Sequence, residues 1–117
     1  MDFPTFTIFK DSSNEFRFNL FAVNGKNILR SSEGYTTKQS CLNGINSTKE
    51  NAPFDGRYKR AISRSEEYYF ALHAKNGETL GISEMYTTAS ARENGIEAVK
   101  RDAPEAPIKD LTLVANY

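Results

Sequence analysis

The sequence predicts an α+β protein in which tandem βββα repeats plus a C-terminal strand form one mainly antiparallel sheet, with two helices on one face and a pseudo-twofold axis between the repeats. Two observations predict this fold. Three strand-like segments precede each of two helical segments. The second half of the chain also repeats the first, because residues 18–25 (FNLFAVNG) align with residues 70–77 (FALHAKNG). The chain is therefore predicted to be a single domain, 1–117, built of repeats 6–53 and 58–104, with a C-terminal strand and tail in 105–117.

Each repeat is predicted to contribute three strands. Segment 16–22 alternates between apolar and mostly polar residues, and this period of two is typical of a strand buried on one face. Its buried face carries Phe16, Phe18 and Leu20, and its other face carries Arg17, Asn19 and Phe21. In the second repeat, Tyr69, Ala71 and His73 take the latter positions. The predicted strands are 6–10, 16–22 and 28–32, followed by 58–63, 68–74 and 79–83.

The connections between these elements carry turn and capping signals. Asn24-Gly25 and Asn76-Gly77 predict two-residue hairpin turns, because Asn-Gly tolerates positive φ at both central positions. The Tyr-Thr-Thr segments that follow each third strand predict threonine caps on helices over 37–50 and 88–101. After the second helix and an extended link, residues 111–115 (LTLVA) predict a last strand.

Both predicted helices contain a glycine at the same place in the repeat. Gly44 and Gly95 each cost about 1 kcal/mol relative to alanine inside a helix. Because the cost recurs, we expect a packing reason, namely close approach of the helix backbone to the sheet. Pro53 and Pro104 are expected to end the two helices.

Charge and hydropathy argue against several classes of function. The chain has 15 Lys+Arg against 15 Asp+Glu, and this balance argues against non-specific nucleic-acid binding or a polybasic membrane anchor as its main role. We expect no membrane segment, because no run approaches the roughly 18–20 apolar residues that span a bilayer. The N-terminal segment also lacks the features of a secretory signal, so we expect a cytoplasmic protein.

Cysteine and histidine usage limits the available chemistry. Cys41 is the single cysteine and His73 the single histidine, so neither an internal disulfide nor an ordinary zinc site can form. No phosphate-binding, dinucleotide-binding, zinc-protease or serine-hydrolase motif is present. We therefore expect a protein that is not an enzyme, with no catalytic residue, no cofactor and no metal. Were it an enzyme, His73 and Cys41 would be the candidates.

Several motifs occur in order and twice, and together they resemble the YegP-like family of small bacterial proteins. They are Ser-Glu-x-Tyr-Thr-Thr at 32–37 and 83–88, Asn-Gly-Ile at 43–45 and 94–96, and Ala-Pro-x-Ala-Pro followed by Asp-Leu-Thr in 103–112. The first repeat departs from the family pattern at two places. Thr48 stands where the family usually has valine, and the Ala-Pro-x-Ala-Pro tail is reduced to Ala52-Pro53. The resemblance implies a shared sheet in which the last strand, 111–115, pairs within the first half, and it implies no activity, cofactor or catalytic residue.

The open face of the sheet is the candidate partner surface. If the helices cover Phe16, Phe18 and Leu20, the opposite face presents aromatic and basic side chains, which is typical of surfaces that stack bases or take a peptide. The simpler alternative is that these residues are isolated surface aromatics or are covered by a terminus. The candidate residues are Arg17, Asn19, Phe21, Tyr69 and His73.

A basic cluster precedes the second hairpin, at Arg57, Lys59, Arg60 and Arg64. We interpret it as a charged edge strand that resists aggregation, with anion binding as the alternative. In a strand, Lys59 would lie on the face opposite Arg60, so these charges would be split between the faces.

These observations favour a non-enzymatic binding or interaction module whose partner is a protein or a small ligand. The alternative is a nucleic-acid-associated protein that uses the open sheet face. We expect no membrane partner. We also expect a monomer, because two repeats that complete each other's sheet form an internal pseudo-dimer.

Overall fold

The structure, a computed structural model, describes residues 2–113. Residues 16–21 and 68–73 become strands because their side chains alternate between core and surface. The strands and helices are β1 (Thr5–Lys10), β2 (Phe16–Phe21), β3 (Asn27–Ser31), α1 (Lys38–Asn51), β4 (Tyr58–Ile62), β5 (Tyr68–His73), β6 (Thr79–Ile82), α2 (Ala89–Asp102) and β7 (Ile108–Asp110).

The described strands form one seven-stranded sheet in the order β4-β5-β6-β3-β2-β1-β7. Neighbouring strands are antiparallel except β1 and β7, which are parallel. The two repeats meet at the centre, where Arg30 pairs with Ile82 and Ser31 with Gly81. The predicted α+β fold is therefore confirmed, and β7 of the second repeat lies beside β1 of the first.

The last strand lies earlier in the sequence than predicted. The prediction of a strand at 111–115 is wrong for 111–113, which form a turn after β7, and residues 114 and 115 lie outside the described residues. Asp110 ends the strand because its Oδ1 accepts hydrogen bonds from the Thr112 N–H (2.8 Å) and hydroxyl (2.6 Å). Its other carboxylate oxygen lies 2.7 Å from Lys38 of α1, which anchors β7 to the helix layer.

Both helices begin as the sequence predicts. Thr37 accepts a hydrogen bond from the Ser40 N–H (3.1 Å), and Thr88 accepts one from the Ala91 N–H (3.0 Å). In the part of the chain that the structure describes, no helix has the length and apolarity needed to cross a bilayer.

The two helix glycines have a different neighbour from the one expected. A Cβ at Gly44 would lie 2.5 Å from the hydroxyl oxygen of Tyr35, and a Cβ at Gly95 would overlap the hydroxyl of Tyr86. Gly44 and Gly95 therefore make room for tyrosine side chains rather than for the sheet backbone. Both tyrosines are held in place by paired backbone hydrogen bonds to the first residue of β2 or β5.

The Asn-Gly hairpins have three-residue loops, so the prediction of two-residue turns is wrong. Ala22 N–H donates to Lys26 O and Gly25 N–H donates to Ala22 O, both at 2.8 Å. Only the glycine has positive φ (84°), because Asn24 instead accepts a hydrogen bond from the Lys26 N–H with its side chain.

One hydrophobic core fills the space between the helices and one face of the sheet. Ile45 of α1 and Ile96 and Val99 of α2 are fully buried against this face. We call this the helix face and the opposite side the open face. The strand residues of the helix face that are fully buried include Phe6, Ile8, Phe18, Leu20, Leu29, Phe70 and Leu72.

Candidate functional site

The strand register aligns one row of side chains across all seven described strands on the open face. Each residue of the row pairs with the next across a strand boundary, and its middle pair is Arg30 and Ile82 at the junction of the repeats. In spatial order the row is Lys109, Thr7, Asn19, Arg30, Ile82, Ala71 and Lys59.

This row carries three cations and no acidic residue. Lys109, Arg30 and Lys59 are exposed, and none of them forms an ion pair with another described residue. Neighbouring cations in the row lie three strands apart, so the distance between them is about 14 Å. The open face is therefore positively charged along this row although the chain has no net charge.

A groove of about 240 Å³ lies on the open face of the second repeat. Its floor is low because Ala61 and Ala71 are small, whereas the equivalent residues of the first repeat are Phe9 and Asn19. Larger side chains surround the two alanines. They are Lys59, Tyr69, His73, Thr79 and Ile82.

His73 lines this groove, and one of its ring nitrogens has no hydrogen-bond partner among the described residues. Its Nδ1 lies 3.1 Å from the Gly77 carbonyl oxygen and 3.4 Å from the Thr79 hydroxyl. A carbonyl oxygen can only accept, so Nδ1 carries the hydrogen, and in the neutral ring Nε2 is then an acceptor. Nε2 is buried and has no hydrogen-bond partner among the described residues. Because this atom is enclosed by the chain itself, it is not available to a ligand in the groove.

The five predicted surface residues all lie on the open face, but they do not form one cluster. Tyr69 and His73 line the groove in the second repeat. Arg17, Asn19 and Phe21 lie in the first repeat on β2, which is separated from β5 by β3 and β6.

The charge of Arg17 is neutralised locally. Its Nε lies 2.6 Å from a carboxylate oxygen of Asp11, and this hydrogen bond lowers the pKa of the Asp11 carboxyl. Among the described strand residues of the open face, the cations without an ion pair are therefore Arg30, Lys59 and Lys109 rather than Arg17.

Sequence reasoning placed Ala71 on the open face, but it did not identify the groove that Ala71 shapes with Ala61 and Ile82. Ala61, Ala71 and Ile82 have no chemistry of their own, and they matter only because the register places them side by side. The repeat alignment contains one usable signal, since Ala71 stands where the first repeat has Asn19.

The basic cluster before the second hairpin lies along β4, an edge strand, and its charges are split between faces as expected. Arg60 reaches Asp55 (3.0 Å) and Glu93 (2.8 Å) on the helix side, whereas Lys59 lies on the open face. Hydrogen bonds from Lys100 and Arg60 lower the pKa of the Asp55 carboxyl to about 2. Arg60 is therefore part of a neutralised network, and Lys59 is the cation of this strand that faces the groove.

Two further cavities lie on the helix side and are related by the pseudo-twofold axis. One, of about 270 Å³, is lined by Tyr35 and Asn43 with Glu78 from the other repeat. Its counterpart, of about 190 Å³, is lined by Tyr86, Asn94 and Lys26. Burial raises the pKa of Tyr35 to about 12 and raises that of Tyr86, so both hydroxyls stay protonated at neutral pH. Glu78 and Lys26 have opposite charges, so the two cavities favour different ligands.

Cys41 and His73 are separated by the sheet. Cys41 is fully buried in the core on the helix face, and burial raises the pKa of its thiol to about 11. His73 lines the groove on the open face. They therefore cannot act together as a nucleophile and its base. Within residues 2–113 no cluster of three or more His, Cys, Asp or Glu side chains could hold a metal ion.

Comparisons with known proteins identify close relatives. The family model described as "Domain of unknown function (DUF1508)" matches residues 11–58 and 63–110. A relative named "UPF0339 protein in ptx operon 5'region", from Stutzerimonas stutzeri, is 46% identical over 107 residues, which cover 92% of this chain and 96% of the relative.

Two structures determined by solution NMR are also similar. The Escherichia coli protein yegP, described as a protein of unknown function, has a TM-score of 0.89 and 40% identity, with 98% of both chains covered. A UPF0339 protein from Shewanella oneidensis has a TM-score of 0.85 and 39% identity, with 92% of this chain and 90% of that chain covered.

Proposed function

The chain belongs to the DUF1508 family and is similar to YegP proteins over most of its length, and from this premise we propose that it is a non-enzymatic binding module whose contact surface is the open face of the sheet. In this proposal the chain acts in the cytoplasm as a monomer. The free thiol of Cys41 is consistent with a reducing compartment. The two repeats already complete one sheet, so a second copy is not needed to build the surface.

The groove over Ala61 and Ala71 is the observation that carries this proposal. Its walls include Tyr69 and Ile82, and Lys59 and Thr79 bring polar groups to its lining. Mostly apolar concave sites with a few oriented polar groups are typical of binding sites.

A binding role fits these residues better than catalysis. A general base needs an orienting partner and a nucleophile within reach. His73 is oriented by a backbone carbonyl, and the candidate nucleophile Cys41 is buried on the other face with a raised pKa.

The test is a quantitative capture experiment with three forms of the full chain. Immobilised wild type, Ala71→Asn and Ala89→Asn are exposed to bacterial lysate, and the bound proteins and small molecules are measured by mass spectrometry. Ala71→Asn fills the groove with the side chain that stands at the equivalent position, Asn19. Ala89→Asn makes the same chemical change at an exposed position of α2 and serves as the control.

We expect a partner that wild type and Ala89→Asn recover equally and that Ala71→Asn loses. Circular dichroism and NMR spectra establish that all three forms are folded. Equal recovery by folded Ala71→Asn, or no recovery by wild type, contradicts the proposal.

The cation row favours a second candidate, a protein that binds single-stranded nucleic acid on the same face. Lys109, Arg30 and Lys59 are without ion-pair partners among the described residues, and the aromatic rings of Tyr69 and Phe21 lie on the same face. Phosphate contacts by three cations predict a logarithmic salt slope of about −2.

A labelled single-stranded oligonucleotide titrated at several salt concentrations tests this candidate. Arg30→Ala is expected to reduce the slope by about 0.7, because one phosphate contact is lost. The absence of binding at low salt contradicts it.

A further inference from the structure

The two cavities on the helix side are each built from both repeats. We call the one lined by Tyr86 the α2 cavity and its counterpart, lined by Tyr35, the α1 cavity. The α2 cavity lies between α2 and the hairpin that joins β2 to β3, and the α1 cavity lies between α1 and the hairpin that joins β5 to β6. Because the two cavities share one architecture, the positions at which they differ determine what each can bind.

Charge is the first difference between the cavities. Lys26 lines the α2 cavity, and Glu78 takes the equivalent position in the α1 cavity. Lys26 forms no ion pair with another described residue. Arg101 also lines the α2 cavity, but two contacts with Asp102, at 2.8 and 3.0 Å, balance its charge. None of the described residues that line the α2 cavity is acidic, so this cavity favours an anion.

The helix walls of the two cavities also differ. Ala91 and Ala98 line the α2 cavity, whereas their equivalents Ser40 and Ser47 line the α1 cavity. Ile28 adds to the apolar part of the α2 cavity. Methyl groups form no hydrogen bonds, so this part of the cavity favours contact with a hydrocarbon chain over contact with water.

The polar side chains of the α2 cavity can donate hydrogen bonds. The Tyr86 hydroxyl has no hydrogen-bond partner among the described residues, and unlike Nε2 of His73 it is not enclosed by the chain, so it is open to the cavity. Burial raises the pKa of Tyr86 and keeps this hydroxyl protonated. The side-chain amide of Asn94 and the ammonium group of Lys26 supply further donors. A carboxylate, which only accepts hydrogen bonds, is complementary to this set.

The volume of the α2 cavity restricts the ligand to a small one. The cavity measures about 190 Å³, which is below the roughly 300–1,000 Å³ of sites that take drug-sized ligands. A short aliphatic chain with one carboxylate therefore matches its size, its apolar wall and its charge.

We propose that the α2 cavity binds a small aliphatic monocarboxylate. Lys26, the Tyr86 hydroxyl and the Asn94 amide hold the carboxylate, and the wall formed by Ala91 and Ala98 contacts the hydrocarbon chain. The α1 cavity, in which a glutamate replaces the lysine, repels the same ligand. This site lies on the other side of the sheet from the open face, so its occupation does not depend on the binding proposed there.

The experiment titrates the ¹⁵N-labelled full chain with butyrate, butyramide and butylammonium at neutral pH and constant ionic strength, followed by NMR. Butyramide has nearly the shape of butyrate without its charge, and butylammonium reverses the charge. We expect butyrate to cause saturable shifts at the amides of Lys26, Asn94 and Gly95. Butyramide should bind at least about 10-fold more weakly, because hydrogen bonds to a charged group are lost. Butylammonium should not shift these amides.

A matched pair of variants tests the role of the lysine. Lys26→Gln removes the charge but keeps a hydrogen-bond donor, and it should weaken butyrate about 10-fold while leaving butyramide unchanged. Lys75→Gln makes the same change at an exposed position of the other hairpin that lines neither cavity, and it should leave butyrate binding unchanged.

A second pair of variants tests the place of the hydrocarbon chain. Ala91→Leu fills part of the α2 cavity and should weaken both butyrate and butyramide. Ser40→Leu places the same side chain at the equivalent position of the α1 cavity, so it should affect neither ligand. The NMR spectra of the free proteins establish that all four variants are folded.

Several outcomes would overturn the proposal. Equal affinity for butyrate and butyramide, or butyrate binding that folded Lys26→Gln retains in full, rules out recognition of the carboxylate by Lys26. An equal loss in Lys75→Gln would show that the overall charge of the chain, rather than this cavity, attracts the anion. Saturable shifts at Asn43 and Gly44 instead of Asn94 and Gly95 would place the ligand in the α1 cavity, and the absence of saturable shifts with butyrate would mean that the α2 cavity does not bind it.

Discussion

At the scale of single residues, the packing of two tyrosines explains why each helix contains a glycine that lowers its helix propensity. Gly44 and Gly95 lower helix propensity, yet each lies against the hydroxyl of a tyrosine, Tyr35 or Tyr86. A strand-to-helix link that carries an inward-pointing ring can pack only on a helix without a Cβ at that point. The glycine and the tyrosine are thus one packing unit, present once in each repeat.

Replacement of Gly95 by alanine should therefore destabilise the protein. The gain in helix propensity is about 1 kcal/mol, whereas overpacking costs about 1–3 kcal/mol, so we expect the free energy of unfolding to fall by about 1 kcal/mol. Urea unfolding measures this change. In a Tyr86→Phe background the loss should shrink, because the closest atom is removed.

Gly56 provides the matched control for this substitution. Apart from its chain neighbours, no atom of the described residues lies within 4 Å of the position of a Cβ on Gly56, and its φ is not positive, so Gly56→Ala should change stability by less than about 0.5 kcal/mol. A Gly95→Ala protein that is more stable than wild type would show that the tyrosine does not constrain this position.

At the scale of elements, the four hairpins use the same loop. Each has three residues between its closing pair, and in each the third loop residue has positive φ. These residues are Asn14 (62°), Gly25 (84°), Glu66 (61°) and Gly77 (89°). Glycine and asparagine adopt this conformation readily, whereas glutamate does not.

The hairpin between β4 and β5 should therefore gain stability from Glu66→Gly. The left-handed conformation costs a non-glycine residue about 1–2 kcal/mol, and the extra chain entropy of glycine offsets about 0.5–1 kcal/mol of the relief. We expect a net gain of about 0.5–1 kcal/mol in the free energy of unfolding, measured by thermal or denaturant unfolding. Arg64→Gly, at a loop position without positive φ, should give no gain. Equal effects at both positions would contradict this account.

The elements were largely predictable from the sequence, and the exceptions have local causes. The alternation of apolar and polar residues predicted strands β1 to β6, and the capping threonines predicted both helices, with bounds within a residue or two. These signals depend only on residues that are neighbours in the sequence. The last strand was misplaced because residues 111–113 look more strand-like than Ile108–Asp110, while the turn at Asp110 depends on a side-chain hydrogen bond. The groove could not be predicted, since it depends on the register that brings Ala61 beside Tyr69 and Ala71 beside Ile82.

At the scale of the whole molecule, the two sheet edges are protected in different ways. β4 is an edge strand, and it carries Lys59 and Arg60. At the other end of the sheet, β1 carries no charge before Lys10, and β7 pairs with it and takes the edge position in its place. Charged residues on an edge discourage strand pairing between molecules, and so does a covering strand. The exchange of β7 between the repeats thus protects the one edge that its own sequence leaves unprotected.

Loss of the β7–β1 pairing should therefore cause both instability and association. The Phe6 N–H donates to Pro107 O (2.8 Å) and the Leu111 N–H donates to Ile8 O (2.9 Å), so the alternation of a parallel ladder directs the Lys109 N–H toward β1 as well. Lys109→Pro removes this donor and is expected to lower the free energy of unfolding by about 1–3 kcal/mol, whereas Lys109→Ala keeps the donor and should have little effect. Because the uncharged β1 edge is then exposed, sedimentation velocity should detect concentration-dependent association of Lys109→Pro but not of Lys109→Ala.

If the proline variant is destabilised but stays monomeric, β7 contributes stability without protecting the edge. If both variants associate, the lysine charge rather than the strand pairing keeps the chains apart.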